Sequence, residues 1–299
     1  SSCGGSHFTV EEQYRLHTLA RAVNKSFGLY DKYIQYCLAD YDDRDALEHN
    51  WGFINWWDEQ EGLVSYGAKY SFLAMTNFNY LAGKNGEVKE HIQTDDGAYL
   101  FHYYNTELKK DVMLLQTAGA IVHKNLDLGC NEVEILDGFG NKVTTLCSDN
   151  GIYGFSLTNE PIWVVGNIKK FEVTDNNAAV RFESLKKETV AGDILSFTLL
   201  KDIDKNLKVE IEGVEVLQNN GFSGNRADIK VNIPADASGE ISFNVRATDD
   251  AGNVYFISDY ILQIIDTVDL KIESELSNNI SFNRWRIRAT VTNMCETKS

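Results

Sequence analysis

Aromatic and acidic side chains that could bind a ligand concentrate between residues 36 and 57. They are Tyr36, Asp40, Asp42, His49, Trp51, Trp56 and Trp57. Indole and phenol rings stack on the flat apolar faces of ligands, while carboxylates and imidazoles form hydrogen bonds with hydroxyl groups. This stretch therefore predicts a surface that binds its ligand by stacking and by hydroxyl hydrogen bonds.

A predicted strand precedes this cluster, and a predicted helix follows it. The run 32–40, KYIQYCLAD, is apolar enough for a strand buried on both faces, as in a parallel sheet. Residues 68–82 have apolar side chains at helical spacing, and Gly83 is a suitable stop. A buried strand, a polar loop and a helix form one βα unit of an α/β barrel, in which the loops after the strands carry the chemistry.

The stretch resembles the last βα unit of the (β/α)8 barrel of clan A glycoside hydrolases, the group that contains families 5 and 39. The resemblance rests on the turn 48–53, EHNWGF, and on the helix start 66–74, YGAKYSFLA. That helix start keeps the aromatic and small positions of the family but lacks its Pro-Lys-Pro. The resemblance covers roughly residues 1–165 and implies an incomplete (β/α)8 barrel at the start of this chain.

A second helix is predicted over residues 8–26. Thr9 and Glu12 form a capping box. The apolar stripe that should pack on a sheet is Leu16, Leu19, Ala20 and Val23. The loop and helix at residues 1–23 resemble those that follow the seventh barrel strand of the family. The resemblance then implies that the nucleophilic glutamate lies before Ser1 and that the acid/base glutamate lies further upstream.

The resemblance implies retaining hydrolysis of a β-linked glycan by two carboxyl groups about 5 Å apart. No catalytic residue is assigned within this chain, and we expect the chain alone to be inactive. Glu48 lies in a loop near Arg44, where a carboxylate is more often solvated or paired than catalytic.

The same resemblance implies that residues 36–57 contribute part of a sugar-binding cleft. The residues expected to stack on sugar rings are Tyr36, Trp51, Trp56 and Trp57, and those expected to bind hydroxyl groups are Asp40, Asp42 and His49. For Trp51 and His49 a purely structural role remains an equal alternative. Of the adjacent pair Trp56 and Trp57, one should face the core and the other solvent or substrate.

From residue 97 onward the apolar pattern has a period of two and predicts short antiparallel strands between turns. The run 156–166, SLTNEPIWVVG, resembles the strand that closes the sandwich attached to these barrels, and Trp163 is expected in its core. The run 245–254, VRATDDAGNV, resembles the last hairpin of bacterial immunoglobulin-like modules. His102 and His123 lie in strand patterns and are predicted to be structural.

The predicted fold class is therefore multidomain, α/β followed by all-β. We expect the incomplete barrel at 1–85, a barrel-associated β-sandwich at 86–166 and an Ig-like or fibronectin-like module at 167–268. The start of a further, truncated β module is expected at 269–299.

Composition limits the classes of partner. The chain has 299 residues with 44 acidic and 28 basic side chains, a net charge of −16, and no basic stripe that would suit nucleic acid. No apolar run is long enough for a membrane span. The predicted partner is an oligosaccharide or polysaccharide, the predicted location is extracellular or on the cell surface, and no cofactor or metal is predicted.

Two features leave alternatives open. Cys130 and Cys147 could pair across strands or remain free thiols. The aspartates of two turns could bind calcium or stabilise the turns themselves; they are Asp202, Asp204, Asp249 and Asp250. The alternative to the hydrolase is a non-catalytic carbohydrate-binding or adhesion protein made of β-sandwich modules.

Overall fold

The computed structural model describes residues 10–29, 68–265, 270–279 and 284–293. Helix α1 is Val10–Ser26, and helix α2 is Tyr70–Phe78, which continues into a π-helical turn at Asn79–Gly83. Both predicted helices are confirmed to within two residues of their bounds. The rest of the described chain is mostly β-strand.

The first β-sandwich contains nine strands. They are β1 (Gly86–Gln93), β2 (Ala98–Asn105), β3 (Lys110–Thr117), β4 (Val122–Asp127), β5 (Glu132–Leu136), β6 (Lys142–Cys147), β7 (Ile152–Leu157), β8 (Ile162–Gly166) and β9 (Glu172–Thr174). One sheet has the order β1-β2-β3-β8-β5-β6, and the facing sheet has the order β7-β4-β9.

The second β-sandwich contains eight strands. They are β10 (Val180–Phe182), β11 (Glu188–Thr189), β12 (Ile194–Lys201), β13 (Leu207–Glu212), β14 (Glu215–Asn219), β15 (Arg226–Asn232), β16 (Glu240–Asp249) and β17 (Val254–Ile264). One sheet has the order β10-β12-β15-β14, and the other contains β13, β16 and β17 with β11 alongside β17. The two sandwiches share a sheet, because β17 pairs in parallel with β6 at Val254 and Leu146.

The strand pattern predicted from residue 97 onward is confirmed. Residues 84–92, KNGEVKEHI, are polar, and the sequence predicts that they form an exit from the helix at 68–82, but the structure shows a strand there. They contain most of β1, which pairs with β2 along its whole length. Its side chains are mostly exposed because β1 lies at the sheet edge, so it shows no apolar alternation. Strand β9 pairs with β4 and extends the first sandwich beyond residue 166.

A further hairpin follows the second sandwich. Strands β18 (Leu270–Asn279) and β19 (Arg284–Asn293) pair antiparallel, with Leu270 opposite Asn293. A strand pair at this place agrees with the prediction for residues 269–299. The predicted barrel strand around Tyr36 lies outside the described residues, and the barrel stays a prediction.

The sheet β1-β2-β3-β8-β5-β6 of the first sandwich, here called the central sheet, is covered on both faces. Its inner side chains pack against the facing sheet, and they include Leu100, Met113, Leu115 and Val164. Its outer side chains pack against the helices, and they are Phe101, Tyr103, Val112, Leu114, Trp163 and Val165. Neighbouring residues of a strand point to opposite faces, so strands β2, β3 and β8 must be apolar almost throughout. Trp163 is fully buried, which confirms its predicted place in the core.

The two helices lie side by side and run parallel. At their first turns the rings of Tyr14 and Tyr70 have centroids 6.2 Å apart. At their last turns the Lys25 ammonium donates a hydrogen bond to the carbonyl oxygen of Gly83. Along the chain, 38 residues separate Leu29, the last described residue after α1, from Ala68.

Helix α1 does not bury the stripe that its sequence predicts. Its most buried side chains include Tyr14, Thr18 and Ala22, whereas Leu16 is 43% exposed. Leu19 and Val23 are only partly buried beside the outer face of the sheet. Helix α1 is therefore rotated about its axis relative to the orientation that the apolar stripe predicts. The polar contacts at its start explain this rotation, because they direct Tyr14 toward the sandwich.

The packing predicts that the cores of both sandwiches are sensitive to truncation. Leu115 and Leu199 are fully buried, one in each core. Leu115→Ala and Leu199→Ala should each lower the free energy of unfolding by about 2–5 kcal/mol, because each leaves a cavity. Equilibrium urea denaturation measures both losses. The control is Val216→Ala, since Val216 is exposed and its truncation should cost less than about 0.5 kcal/mol. If Leu115→Ala and Leu199→Ala lowered the free energy of unfolding as little as Val216→Ala does, the described burial of both leucines would be contradicted.

Candidate functional site

The residues predicted to bind sugar all lie outside the described residues. They are Tyr36, Asp40, Asp42, His49, Trp51, Trp56 and Trp57. Their segment returns to the described chain at Ala68, two residues before α2 begins. The segment therefore adjoins the described chain both after α1, at Leu29, and before α2, at Ala68.

Three aromatic rings meet at the start of the helix pair. The centroids of Tyr14 and Phe139 are 4.9 Å apart, and those of Tyr70 and Phe139 are 5.3 Å apart. The Tyr14 hydroxyl donates a hydrogen bond to Glu160, which also forms an ion pair with Arg15. Phe139 and Glu160 belong to the first sandwich, so these contacts fix the first turn of α1 on it.

Phe139 lies at the tip of a tight turn between β5 and β6. Both Phe139 and Asn141 donate backbone hydrogen bonds of 2.9 Å to the Asp137 carboxylate. Gly140 has φ +90°, a conformation that favours glycine. A Cβ at Gly140 would overlap the side-chain amide of Asn77, which lies on α2.

Strands β16 and β17 are joined by a turn of the same construction. Ala251 and Asn253 donate backbone hydrogen bonds of 3.0 and 2.9 Å to the Asp249 carboxylate. Gly252 has φ +86°, and a Cβ there would meet no atom within 4 Å. The two turns share the pattern D-x-x-G-N, but only the turn at 137–141 has an aromatic side chain at its tip and contacts the helix pair.

Asn77 ties α2 to this region. The side-chain amide of Asn77 is oriented so that its oxygen accepts two hydrogen bonds. One comes from Trp163 Nε1 at 3.1 Å and the other from the backbone amide of Gly140 at 3.2 Å. Asn77 is buried, so an amide that binds neither group would be costly. The indole of Trp163 is thus held by packing on one side and by a hydrogen bond on the other.

Asn105 attaches the other end of the helix pair to the first sandwich. Its side-chain nitrogen donates to the carbonyl oxygens of Tyr80 and Leu81, at 2.8 and 3.0 Å. Its side-chain oxygen accepts from the amides of Glu107 and Leu108. Carbonyl groups at a helix end lack intrahelical donors, so a fully buried asparagine compensates two of them. This role of Asn105 is not predicted from the sequence.

A cavity of about 280 Å³ lies between the start of α1, the first sandwich, and strands β16 and β17. We call it the junction cavity. Its apolar wall includes Tyr14, Ile135, Phe139, Phe155, Pro161 and Ile257. Its polar wall includes Asp137, Ser156, Glu160, Asn244, Ser258 and Asp259.

A line of hydroxyl groups connects the two sandwiches beside this cavity. Ser258 and Ser156 are joined by a 2.7 Å hydrogen bond between their hydroxyl groups, and Ser156 contacts His123 Nδ1 at 2.9 Å. Burial, and secondarily the charge of Lys187, lowers the pKa of His123. A catalytic serine–histidine pair also needs a group that orients the imidazole. In the described chain His123 Nε2 has no such partner, so the geometry agrees with the predicted structural role.

The other predicted histidine is also enclosed by structural contacts. His102 Nε2 lies 2.9 Å from Asp111 Oδ1, and the imidazole packs against the ring of Phe171 at a centroid distance of 5.2 Å. His102 is buried at the rim of the first core. These contacts agree with the predicted structural role of His102.

The structure shows the state of both cysteines and the partners of three of the four turn aspartates. Cys130 and Cys147 are free thiols. Asp249 stabilises its own turn, Asp202 pairs with Arg181, and Asp250 pairs with Lys208 at 3.1 Å. Among the described residues, no group of three or more acidic, histidine or cysteine side chains could hold a metal ion.

Comparisons with known proteins do not assign a family. No protein-family model and no curated protein sequence matches this chain. A solved structure of gamma-CGTase from alkalophilic Bacillus clarkii matches with 12% identity and a TM-score of 0.30, covering 91% of this chain and 38% of its own. This chain thus spans well under half the length of that protein.

Two other solved structures are similar to parts of the chain. The fibronectin(III)-like modules of Clostridium thermocellum CbhA match with 11% identity and a TM-score of 0.21, covering 52% of this chain and 85% of their own. A BSP domain of a biofilm-associated protein matches with 13% identity and a TM-score of 0.19. The match covers 61% of this chain and 30% of the biofilm-associated protein's chain. Likenesses this weak carry no functional argument. In the described parts of the chain, no helix is long and apolar enough to cross a membrane.

The paired turns allow a test of how the helix pair is fixed. Gly140→Ala and Gly252→Ala should each cost about 1–2 kcal/mol, because alanine disfavours the left-handed conformation. Gly140→Ala should cost a further 1–3 kcal/mol or so, because its Cβ displaces the buried amide of Asn77. Urea denaturation of both variants gives the difference. Equal losses would show that the contact of Asn77 with this turn contributes nothing to stability.

His17 on α1 predicts a pH dependence of stability. Burial, and secondarily the charge of Arg21, lowers the pKa of His17 from 6.5 to about 4. Between these values the unfolded chain binds a proton that the folded chain does not, so stability falls as the pH falls from about 6.5 to 4. His17→Gln should remove this component. Unfolding free energies at pH 7 and 4.5 should therefore differ less in the variant than in the wild type, and an unchanged difference would contradict the prediction.

Proposed function

We propose that this chain is the C-terminal part of a secreted modular glycoside hydrolase that cleaves a β-linked glycan with retention of configuration. Its nucleophilic and acid/base glutamates would lie upstream of Ser1. The described helices would be the last helices of the catalytic barrel, the first sandwich would brace that barrel, and the second sandwich would be an Ig-like module. The protein would act outside the cell or on its surface.

The observation that carries this proposal is the parallel helix pair. Helix α1 has 17 residues, so it is about 25 Å long. An extended return over that distance needs about eight residues at 3.3 Å each, whereas residues 30–67 number 38. The segment is long enough for one strand antiparallel to both helices and for a long loop at the start of α2. A helix–strand–helix unit of this kind is the repeating element of an α/β barrel.

The polar anchors of the helix pair support the same proposal. Glu160, Gln116 and Asn105 reach from the first sandwich to α1 or to the end of α2. Gln116 and Asn105 are buried, and buried side chains that are hydrogen-bonded rigidify the contact between the elements they join, so the pair and the sandwich form one unit. A barrel that ends in these helices would be held firmly against its sandwich, as precise positioning of catalytic groups requires.

A non-catalytic carbohydrate-binding or adhesion protein is the second candidate. The observation that favours it is the shared sheet of the two sandwiches, because a row of directly hydrogen-bonded β modules suits a stiff surface protein. The helix pair favours the hydrolase, since an adhesin has no need of two parallel helices packed on the outer face of a sandwich.

The test is hydrolysis by the product of the whole gene. Assays with p-nitrophenyl β-glycosides and β-linked oligosaccharides should show turnover by that product, retention of anomeric configuration by NMR, and no turnover by residues 1–299 alone. In the longer protein Glu48→Gln should leave kcat unchanged within about twofold, because no catalytic role is assigned to it. Absence of two upstream glutamates, or turnover by residues 1–299 alone, would overturn the proposal.

A further inference from the structure

The junction cavity contains polar groups that the fold leaves free to bind. Asn244 and Asp259 face each other across β16 and β17, and Asn244 Nδ2 donates to Asp259 Oδ1 at 3.0 Å. Within the described chain, Asp259 Oδ2 and Asn244 Oδ1 have no further hydrogen-bond partner, and Asp259 is exposed. This strand pair therefore presents acceptor oxygens at the mouth of the cavity.

The opposite wall is aromatic. Phe139 is half-buried, and its ring packs against the rings of Tyr14 and Tyr70. Pro161 and Ile257 extend the apolar surface. A ring held by two others offers a rigid face for stacking at little entropic cost.

The charges around the cavity select among ligand classes. Asp137, Glu160 and Asp259 surround it, and Arg15 is already paired with Glu160, so an anionic ligand would be repelled. A purely apolar ligand would cover Asp259 and Asn244 without satisfying them. A neutral ligand with hydroxyl donors and an apolar ring face satisfies both walls.

We propose that the junction cavity is a binding site for a neutral saccharide. The sugar ring stacks on Phe139, and its hydroxyl groups donate hydrogen bonds to Asp259 and Asn244. The inference rests on the proposed function for its ligand class and adds a site on the β-sandwiches to the cleft predicted within residues 36–57. The site contains residues of the first and second sandwiches, so the Ig-like module would take part in glycan binding.

The position of the cavity fits this role. It lies at the start of α1, beside the start of α2, where Ala68 joins the segment rich in aromatic and acidic residues. In an α/β barrel the loops that bind substrate precede the starts of the helices. The junction cavity therefore lies at the end of the helix pair where the proposed barrel would have its substrate-binding loops.

Calorimetric titration of residues 1–299 with cellopentaose, xylopentaose and mannopentaose tests the proposal. At least one of them should bind saturably, and the anionic pentagalacturonate should not. Asp259→Ala and Asn244→Ala should each weaken binding about tenfold, because each removes an acceptor. Phe139→Ala should abolish binding. Asp236→Ala, which changes an exposed carboxylate outside the cavity, is the matched control and should bind as the wild type does.

The variants also separate misfolding from loss of the site. Asp259 and Asn244 are not in either core, so their alanine variants should keep the melting temperature of the wild type. Saturable binding that both variants leave unchanged would place the sugar elsewhere and overturn the inference, as would the absence of binding by all three neutral probes.

The outcomes are distinguishable from those of the proposed function. Hydrolysis by the whole gene product without binding by residues 1–299 would refute the junction site alone. Binding at the junction without hydrolysis by the whole gene product would refute the hydrolase and leave a carbohydrate-binding protein.

Discussion

The outer face of the central sheet is the constraint on which the described fold depends. Strands β2, β3 and β8 carry apolar side chains on both faces, and the largest of them is the indole of Trp163. A sheet of this kind needs a layer on each side. The second sheet covers one face, and α1 and α2 cover the other. Without the helices, the outer face would be an exposed apolar patch of the kind that drives aggregation.

Polar side chains decide how the helices lie on that face. Apolar burial alone would allow several orientations, because it is not directional. Asn105 binds the end of α2, Asn77 joins α2 to Trp163, and Glu160 holds the start of α1. Each would be left unsatisfied by a shift of one turn. The parallel arrangement follows from these anchors.

Backbone pairing and polar side chains also join the two sandwiches to each other. Strand β17 continues the sheet of the first sandwich through β6, and the hydroxyl groups of Ser156 and Ser258 meet between them. The two D-x-x-G-N turns show how one local design serves two purposes. The turn at 249–253 ends a hairpin in solvent, whereas Phe139 in the other turn contacts the helix pair and lines the junction cavity.

The local pattern of the sequence was sufficient to predict most helices and strands, because helical spacing and period-two alternation of apolar residues follow from which side of an element is buried. It was insufficient for β1, whose exposed edge position leaves no alternation, and for the rotation of α1, where the Tyr14 contact with Glu160 outweighs the stripe containing Leu16. Tyr14 and Glu160 are 146 residues apart. The parallel helix pair and the junction cavity depend on such distant contacts, and only the tertiary structure brings those residues together.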